Sequence, residues 1–265
     1  MAGYEADGLT PAVHRGLPSD TLTMVFSLDE PLRTAPTWHD WRLGRWSSQW
    51  TVLGGLHTTA TFVDQPGRWC GVQVALHPLG ARRLFGLPAA AMPVTSWNAH
   101  DLLGSPLEAA HERLARVTTW RHRYAVITDL LMSQLAADHD GRVKPEVSQA
   151  WRCLTRTQGR MRIADLARHV GYSRRRLADL FHAETGLSPK TAARLVRFDA
   201  AQRALALRSA RGEPLHISGL ATMHGYYDHA HLVRDFTEFA GLGPTSWLRE
   251  EFPNVQAGSA AHATS

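Results

Sequence analysis

Short runs of β-favouring residues dominate the first 105 positions of the chain. These runs are TLTMVFSL (21–28), QWTVLGG (49–55), TTATFV (58–63) and WCGVQVALHP (69–78). Glycine, proline and aspartate separate them, as is typical of antiparallel strands joined by turns. The pattern predicts a β-rich barrel or sandwich at the start of the chain.

The pattern then changes to a helical one. From about 106 to 138, apolar residues recur at three- and four-residue steps, so one or two helices are expected to end an N-terminal domain of residues 1–138. A polar stretch with Gly141 and Pro145 predicts a linker at 139–148. Residues 149–253 are interpreted as an all-α domain and 254–265 as a frayed tail. The fold class is therefore α+β.

The helical domain contains a duplicated unit, and its two copies match at apolar, glycine and proline positions. The matching pairs are IADLARHVGY (163–172) with ISGLATMHGY (217–226), Leu177 with Leu232, Phe181 with Phe236, and GLSP (186–189) with GLGP (241–244). Each copy predicts a helix, a tight turn at a glycine and a second helix, which is the helix-turn-helix unit. A long helix over about 189–209 is predicted to join the two units.

The second helix of each unit carries an apolar stripe and a polar face. Ser173 and Asp228 are predicted to cap these helices. Arg175 and Arg234 each lie two positions from stripe residues, so both are predicted to point away from the core. Arginine matches the acceptor atoms of guanine in the major groove. A solvated arginine cluster is the alternative, but a duplicated helix-turn-helix favours contact with DNA.

Charge is distributed unevenly along the chain. Residues 152–251 hold 16 Arg and Lys against 10 Asp and Glu, a net charge of +6. The rest of the chain holds 13 basic and 14 acidic residues, a net charge of −1. This asymmetry indicates a polyanionic partner for the C-terminal part, although a basic surface without nucleic acid has the same charge.

The duplicated unit, with GYS followed by GLSP and GYYDHAHLVRDF followed by GLGP, closely resembles the DNA-binding domain of AraC/XylS transcription regulators over about 146–251. The resemblance implies that one monomer enters two successive major grooves. It implies base-reading positions at Arg174, Arg175, Ala178 and Asp179 in the first unit and at His229, Ala230, His231 and Arg234 in the second. The predicted DNA-binding set comprises Ser173, Arg174, Arg175, Arg176, Asp179, Tyr227, His229, His231 and Arg234. Two of the base-reading positions hold residues that are poorly suited to reading bases. Ala178 cannot hydrogen-bond a base, and the acidic Asp179 would read cytosine or repel phosphate.

The N-terminal part is similar, less strongly, to the domain that precedes this DNA-binding domain in a set of actinobacterial family members. The residues that carry the similarity lie in 17–28, 71–92 and 101–104. Such β-rich domains usually sense an effector or dimerise. The residues that would bind an effector are not revealed by the sequence.

Two residue types invite other binding sites. The scattered histidines His14, His39, His57 and His77 lack HxH or HExxH spacing, so no metal site is expected. The segment WHDWRLGRWSSQW (38–50) holds four tryptophans, which either line an aromatic effector pocket or belong to core packing and an exposed loop.

Enzymatic chemistry has little support in the sequence. Some relatives of this DNA-binding domain carry a methyl-transferring repair module, but that chemistry needs a clustered cysteine thiolate, and Cys70 stands alone. No catalytic residue and no cofactor is therefore expected. Cys70 and Cys153 are far apart in sequence, which fits a reducing cytoplasm, and the start of the chain lacks the pattern of a signal peptide. The apolar run 84–94 is too short to span a bilayer. We therefore expect a cytoplasmic protein with no membrane partner.

Together these features predict a sequence-specific, DNA-binding transcription regulator of the bacterial cytoplasm, associated with the nucleoid when bound. Double-stranded promoter DNA is the expected partner, and RNA polymerase, a small-molecule effector and a second copy of the chain are candidate partners. The resemblance suggests an activator, although the residues themselves do not distinguish activation from repression. The alternative is a ligand-binding or catalytic β-domain whose helical half only binds protein.

Overall fold

The computed structural model describes residues 1–92, 97–137, 139–213 and 216–251. The predicted tail, 254–265, lies outside the described residues, as do the last two positions of the predicted helical domain. The described part of the chain consists of an N-terminal β-rich region followed by helices, which confirms the α+β fold class.

Two antiparallel sheets form the N-terminal region. The strands are β1 (Ala2–Ala6), β2 (Ala12–Gly16), β3 (Leu22–Ser27), β4 (Leu32–Ala35), β5 (Ser47–Gln49), β6 (Thr51–Gly54), β7 (Thr61–Gln65), β8 (Trp69–Leu76) and β9 (Trp97–Asn98). One sheet has the order β1-β8-β3-β6-β9 and the other β2-β7-β4-β5. The four predicted runs contain strands β3, β6, β7 and β8. Strands β1, β2, β4, β5 and β9 were not predicted, because long-range pairing rather than local composition stabilises them.

Strand β3 shows how the five-stranded sheet separates a core from a cavity. Leu22, Met24 and Phe26 are fully buried in the core that this sheet shares with helices, whereas Thr23 and Val25 between them line a cavity. Successive side chains of a strand point to opposite faces, so one sheet serves both surfaces.

Helices make up most of the remaining chain. They are α1 (Trp38–Arg42), α2 (Ala81–Phe85), α3 (His100–Leu103), α4 (Ser105–Arg116), α5 (Trp120–Ala136), α6 (Pro145–Arg156), α7 (Ile163–His169), α8 (Arg174–Thr185), α9 (Pro189–Ala210), α10 (Ile217–Met223), α11 (His229–Ala240) and α12 (Pro244–Glu251). Helices α4 and α5 confirm the predicted change of pattern after residue 105. Helix α6 begins at Pro145, within the stretch 139–148 that was predicted as a linker. Proline suits the first helical turn, where its missing N–H needs no partner.

The predicted duplication is confirmed in the fold. Helices α7 and α8 form the first helix-turn-helix unit, and α10 and α11 form the second. Gly171 and Gly225 occupy the two turns with φ of +76° and +75°, a conformation that side chains disfavour. Helix α9 joins the two units, close to the predicted 189–209.

The helices belong to two hydrophobic cores. The first core runs from the five-stranded sheet through α2–α5 into α6, α7, α8 and the first part of α9. The second core comprises the rest of α9 with α10, α11 and α12. The first helix-turn-helix unit therefore shares its core with the N-terminal region, and the second unit has a core of its own.

Direct contacts hold the first unit to the N-terminal region. Arg82 of α2 donates to both carboxylate oxygens of Glu184 at the end of α8, at 2.8 and 3.1 Å. The ring of His77 meets Trp151 of α6 edge-on at 6.1 Å between centroids, and Trp151 in turn stacks on Phe181 of α8 at 5.6 Å. These contacts fix the carboxyl end of α8 against the N-terminal region and leave its amino end exposed.

Candidate nucleic-acid interface and interdomain cavity

The two second helices, α8 and α11, present the same arrangement of buried and exposed residues. In α8, Leu177 and Phe181 are fully buried, and in α11 Leu232, Phe236 and Phe239 are fully buried. Both helices begin with a side-chain cap. Ser173 Oγ accepts from the Arg176 backbone N–H at 3.2 Å, and Asp228 Oδ1 accepts from His231 N–H at 2.7 Å. Both predicted caps are confirmed.

Most residues of the predicted DNA-binding set lie at the surface around the amino ends of these helices. The exposed members are Ser173, Arg174, Arg175, Arg176, Asp179, Tyr227, His229 and Arg234, with Ala230 also exposed. Tyr227 is 92% exposed, which is unusual for an aromatic side chain without a partner molecule. Three arginines at the start of α8 face the positive end of the helix dipole, so an anion at this surface is favoured.

His231 differs from its neighbours. It is half-buried, its Nδ1 accepts from the Tyr227 N–H at 3.4 Å, and its ring meets the buried Tyr226 ring edge-on at 5.1 Å. These contacts give His231 a packing role at the turn. Ala178 is also half-buried, so the first unit presents its polar groups mainly through the arginines.

A guanidinium links α9 to α11. Arg194 donates from Nε and Nη2 to Oδ1 of Asp235, at 3.2 and 2.8 Å, and from Nη1 to Oε1 of Glu238 at 2.9 Å. The side chain of Asp235 is 4% exposed and that of Glu238 is 57% exposed. Arg197, one turn later in α9, donates to the carbonyl of Gly225 at 3.1 Å. Helix α9 therefore orients the second unit through arginines that sequence reasoning did not single out.

A cavity of about 730 Å³ lies between the sheets and the helical domain. Both sheets line it, through residues that include Thr23, Thr61 and Trp69, while α9 and α12 contribute Asp199, Gln202, Arg203 and Trp247. The sequence signal that could have indicated this cavity is the pair of threonines in TLTMVF (21–26). Their alternation with apolar residues implies a strand with a second, more polar face.

Two carboxyl groups and one guanidinium meet where α9 borders this cavity. Asp199 Oδ2 accepts from Arg203 Nε at 2.9 Å, and Asp20, in the turn before β3, lies 4.0 Å from Arg203 Nη2. The pKa of Asp199 is raised from 3.8 to about 6, chiefly by desolvation and also by the nearby Asp20 carboxylate, against the opposing effect of Arg203. Desolvation also raises the pKa of Asp20. Both shifts come mainly from holding a carboxyl group in a poorly hydrated place.

The other basic residues that line the cavity have carboxylate partners or are neutral. Arg15 Nε donates to Glu250 at 3.0 Å, and His14 pairs with Glu251. Burial lowers the pKa of His57 to about 4, so its imidazole is uncharged near neutral pH. These pairs also connect β2 to α12, so the cavity wall and the second unit are in direct contact.

The tryptophan-rich segment does not form the cavity. Trp38, Trp46 and Trp50 are exposed, and neither they nor Trp41 line the cavity. The exposed-loop interpretation therefore describes them better than the effector-pocket one. Among the described residues, no three His, Cys, Asp or Glu side chains come together as a metal could require. No helix in the described ranges has the length and apolar character needed to cross a bilayer.

Comparison with known proteins adds a domain match and a fold. The profile of a helix-turn-helix domain family matches residues 166–250. Comparison with curated proteins gave no match. Three similar solved structures are all of ToxT from Vibrio cholerae. The first, at 1.65 Å resolution, is 11% identical, covers 93% of this chain and 96% of that chain, and has a TM-score of 0.52.

The other two ToxT structures contain small molecules. One is described as bound to (E)-4-(8-methylnaphthalen-1-yl)but-3-enoic acid, is 11% identical, covers 94% and 97% of the two chains, and has a TM-score of 0.53. The other is described as unsaturated fatty acid bound, is 10% identical, covers 95% of each chain, and has a TM-score of 0.52. At this identity the likeness concerns the fold. The C-terminal part of the chain therefore matches a helix-turn-helix domain family, and the chain as a whole shares its fold with ToxT.

Proposed function

We propose that the protein is a transcription regulator that binds DNA through α8 and α11 in two successive major grooves. The supporting observation is the duplicated unit itself, in which each second helix buries its apolar stripe and exposes an arginine-bearing face next to a capped amino end. A recognition helix contacts bases with its amino-terminal residues. Helix α9 has 22 residues, or about 33 Å, which is long enough to separate two units by about one turn of the duplex.

Arg175 and Arg234 are the residues on which this proposal is best tested. Both are exposed, and no hydrogen bond or ion pair within the described chain occupies either side chain. Each is expected to contact guanine or phosphate, so replacement by alanine should weaken binding by about 1–3 kcal/mol. A guanine contact would also relax specificity at one base position, whereas a phosphate contact would weaken all sequences alike.

The experiment begins with selection of a binding sequence from random duplex DNA by the full-length protein. Affinities of wild type, Arg175→Ala and Arg234→Ala are then measured by gel shift over a series of salt concentrations. Arg116→Ala is the matched control, because Arg116 lies in α4, is mostly exposed, and carries the same charge. We expect the control to retain wild-type affinity and the two test variants to lose it. Unchanged affinity in both test variants would refute the proposed interface.

We further propose that the N-terminal region modulates DNA binding through the interdomain cavity. Helices α9 and α12 contribute directly to the cavity wall, and α9 also holds α11 through Arg194 and the turn before α11 through Arg197. A molecule in the cavity therefore contacts the helix that orients the second unit. The ToxT structures described with bound organic acids support a small-molecule effector for this fold. We place the regulator in the bacterial cytoplasm, where its DNA partner is; a second copy of the chain and RNA polymerase remain proposed partners.

A further inference from the structure

The turn between α6 and α7, which leads into the first helix-turn-helix unit, packs closely on α9. Gly159 in this turn is buried with a φ of +69°, and a Cβ there would overlap the Ala193 carbonyl oxygen of α9. Its N–H donates to the Leu154 carbonyl of α6 at 2.8 Å. These contacts fix the backbone of the turn, so the next residue, Arg160, starts from a defined position.

The side chain of Arg160 reaches from this turn to the second unit. Its Nη2 donates to the backbone carbonyl of Met223, the last residue of α10, and to Gln158 Oε1 at 3.1 Å. A carbonyl at the end of a helix has no partner within the helix, and a nearby arginine supplies one. A Cβ on Gly225 would lie 2.8 Å from Arg160 Cγ, so the arginine stem covers the turn between α10 and α11.

The corresponding turn of the first unit lacks this cover. Gly171 has a φ of +76° and Gly225 a φ of +75°, yet a Cβ on Gly171 would meet no other described atom within 4 Å. Arg197 of α9 also donates to the Gly225 carbonyl, at 3.1 Å. The turn conformation therefore forms without arginines in the first unit, and the two guanidiniums at the second unit serve something other than the turn itself.

The covered turn leads into the second recognition helix, because α11 begins at His229, four residues after Gly225. Helix α8 belongs to the first hydrophobic core and α11 to the second, and α9 runs through both. Long helices are rarely straight, so a contact beside α9 limits how far the second unit turns relative to the first. The ion pairs of α12 hold the second unit to the sheets, whereas Arg160 holds it to the segment that enters the first unit.

We propose that Arg160 is a positioning residue that fixes the separation of α8 and α11, and thereby the spacing of the two half-sites that the protein accepts on DNA. This inference rests on the proposed binding in two successive major grooves and adds what sets their separation. One base pair more or less between the half-sites shifts the second by about 3.4 Å and by about 35° around the duplex axis. A braced pair of helices loses base contacts on such a duplex, whereas a loosened pair adjusts to it.

Duplexes that differ only in spacing test the inference. The sequence selected by full-length wild type is made at its selected spacing and with one base pair inserted or removed between the half-sites, and gel shifts give each affinity. Since one lost base contact costs about tenfold or more, we expect wild type to prefer the selected spacing by about tenfold or more. Arg160→Met keeps the stem across Gly225 but removes the donors, so it should reduce this preference to about threefold or less.

Arg156→Met is the matched control. Arg156 is exposed at the end of α6, four residues before Arg160, and its replacement removes the same charge. This variant should keep the wild-type spacing preference. A folding defect would lower the active fraction equally for every duplex, so the ratio of affinities reports on spacing alone.

The outcomes separate the inference from the function on which it rests. A wild-type spacing preference in Arg160→Met overturns the inference and leaves the two-groove proposal intact. An equal loss of affinity at every spacing also overturns it, since Arg160 would then contact phosphate or support folding. Affinity of wild type that does not depend on spacing overturns the two-groove proposal and the inference together.

Discussion

The link from Arg194 to α11 joins one guanidinium to two carboxylates that differ in burial. Replacing Arg194 with Met keeps much of the side chain's length but leaves Asp235, 4% exposed, with an uncompensated charge. Breaking a buried ion pair on one side costs about 3–5 kcal/mol. Arg194 also lies over the Phe239 ring, at 5.0 Å from its centroid, and the Met side chain retains part of that contact. We therefore expect Arg194→Met to lower the free energy of unfolding by about 3–5 kcal/mol.

Glu238 provides the matched comparison. Hydrogen bonding to Arg194 lowers the pKa of Glu238, yet Glu238 is 57% exposed and water can replace the lost contact. Glu238→Gln should therefore cost about 0–1 kcal/mol. Asp235→Asn should cost about 1–3 kcal/mol, because it weakens a buried hydrogen bond to a charged group. Combining Arg194→Met with Asp235→Asn should cost less than the sum of the single changes, since no unpaired carboxylate remains.

Urea denaturation followed by circular dichroism measures these four free energies. Because burial sets the cost of each change, we expect Arg194→Met to lose the most stability and Glu238→Gln the least. Equal losses for Glu238→Gln and Asp235→Asn, or a loss below about 1 kcal/mol for Arg194→Met, would show that the link to Asp235 behaves as a surface pair.

Three further predictions concern stability. The Asp199 carboxyl has a folded-state pKa of about 6 against 3.8 for the ordinary group, so between these values the folded chain keeps a proton that the unfolded chain releases. The contribution of Asp199 to the free energy of unfolding should fall by up to about 3 kcal/mol as the pH rises from about 4 to about 6. Urea denaturation of wild type and Asp199→Asn across this range measures that fall as a pH-dependent difference between their free energies of unfolding. A difference that does not change with pH would contradict the assignment. Gly159 has a φ of +69°, and a Cβ there would lie 2.0 Å from the Ala193 carbonyl oxygen, so Gly159→Ala should cost about 2–5 kcal/mol in the same assay. Gly171→Ala, at φ +76° with open space around it, is the control and should cost only about 1 kcal/mol; equal losses would exclude the close approach as the cause. Ser173→Ala removes the cap of α8 and should cost about 1 kcal/mol in thermal unfolding, whereas no loss would mean that water caps the helix equally well.

The duplicated unit could be predicted from sequence because its determinants are local. Gly171 and Gly225 mark the turns, Ser173 and Asp228 cap the helices, and the apolar stripe repeats with the helical period. The exposure of Arg175 and Arg234 follows from the same period. The half-burial of His231 does not follow from the helical period, because it depends on the Tyr226 ring beside it.

The boundary between cores could not be predicted from local patterns. Sequence alone suggested one sensing domain and one DNA-binding domain, yet the first unit shares a core with the N-terminal region. The contact of Arg82 with Glu184 joins residues 102 positions apart. Such a pairing depends on how finished elements dock, and no propensity or period along the chain encodes it.

The sequence by itself determined the two helix-turn-helix units, the helix between them and a β-rich region before them, since each rests on contacts within a few residues or on one repeating period. Tertiary structure alone decided the cavity and its charge. Asp20 and Asp199 are 179 positions apart, and only docking of the sheets against α9 places both carboxyl groups beside Arg203. Their raised pKa values arise from that desolvation, which is a property of packing and not of residue type.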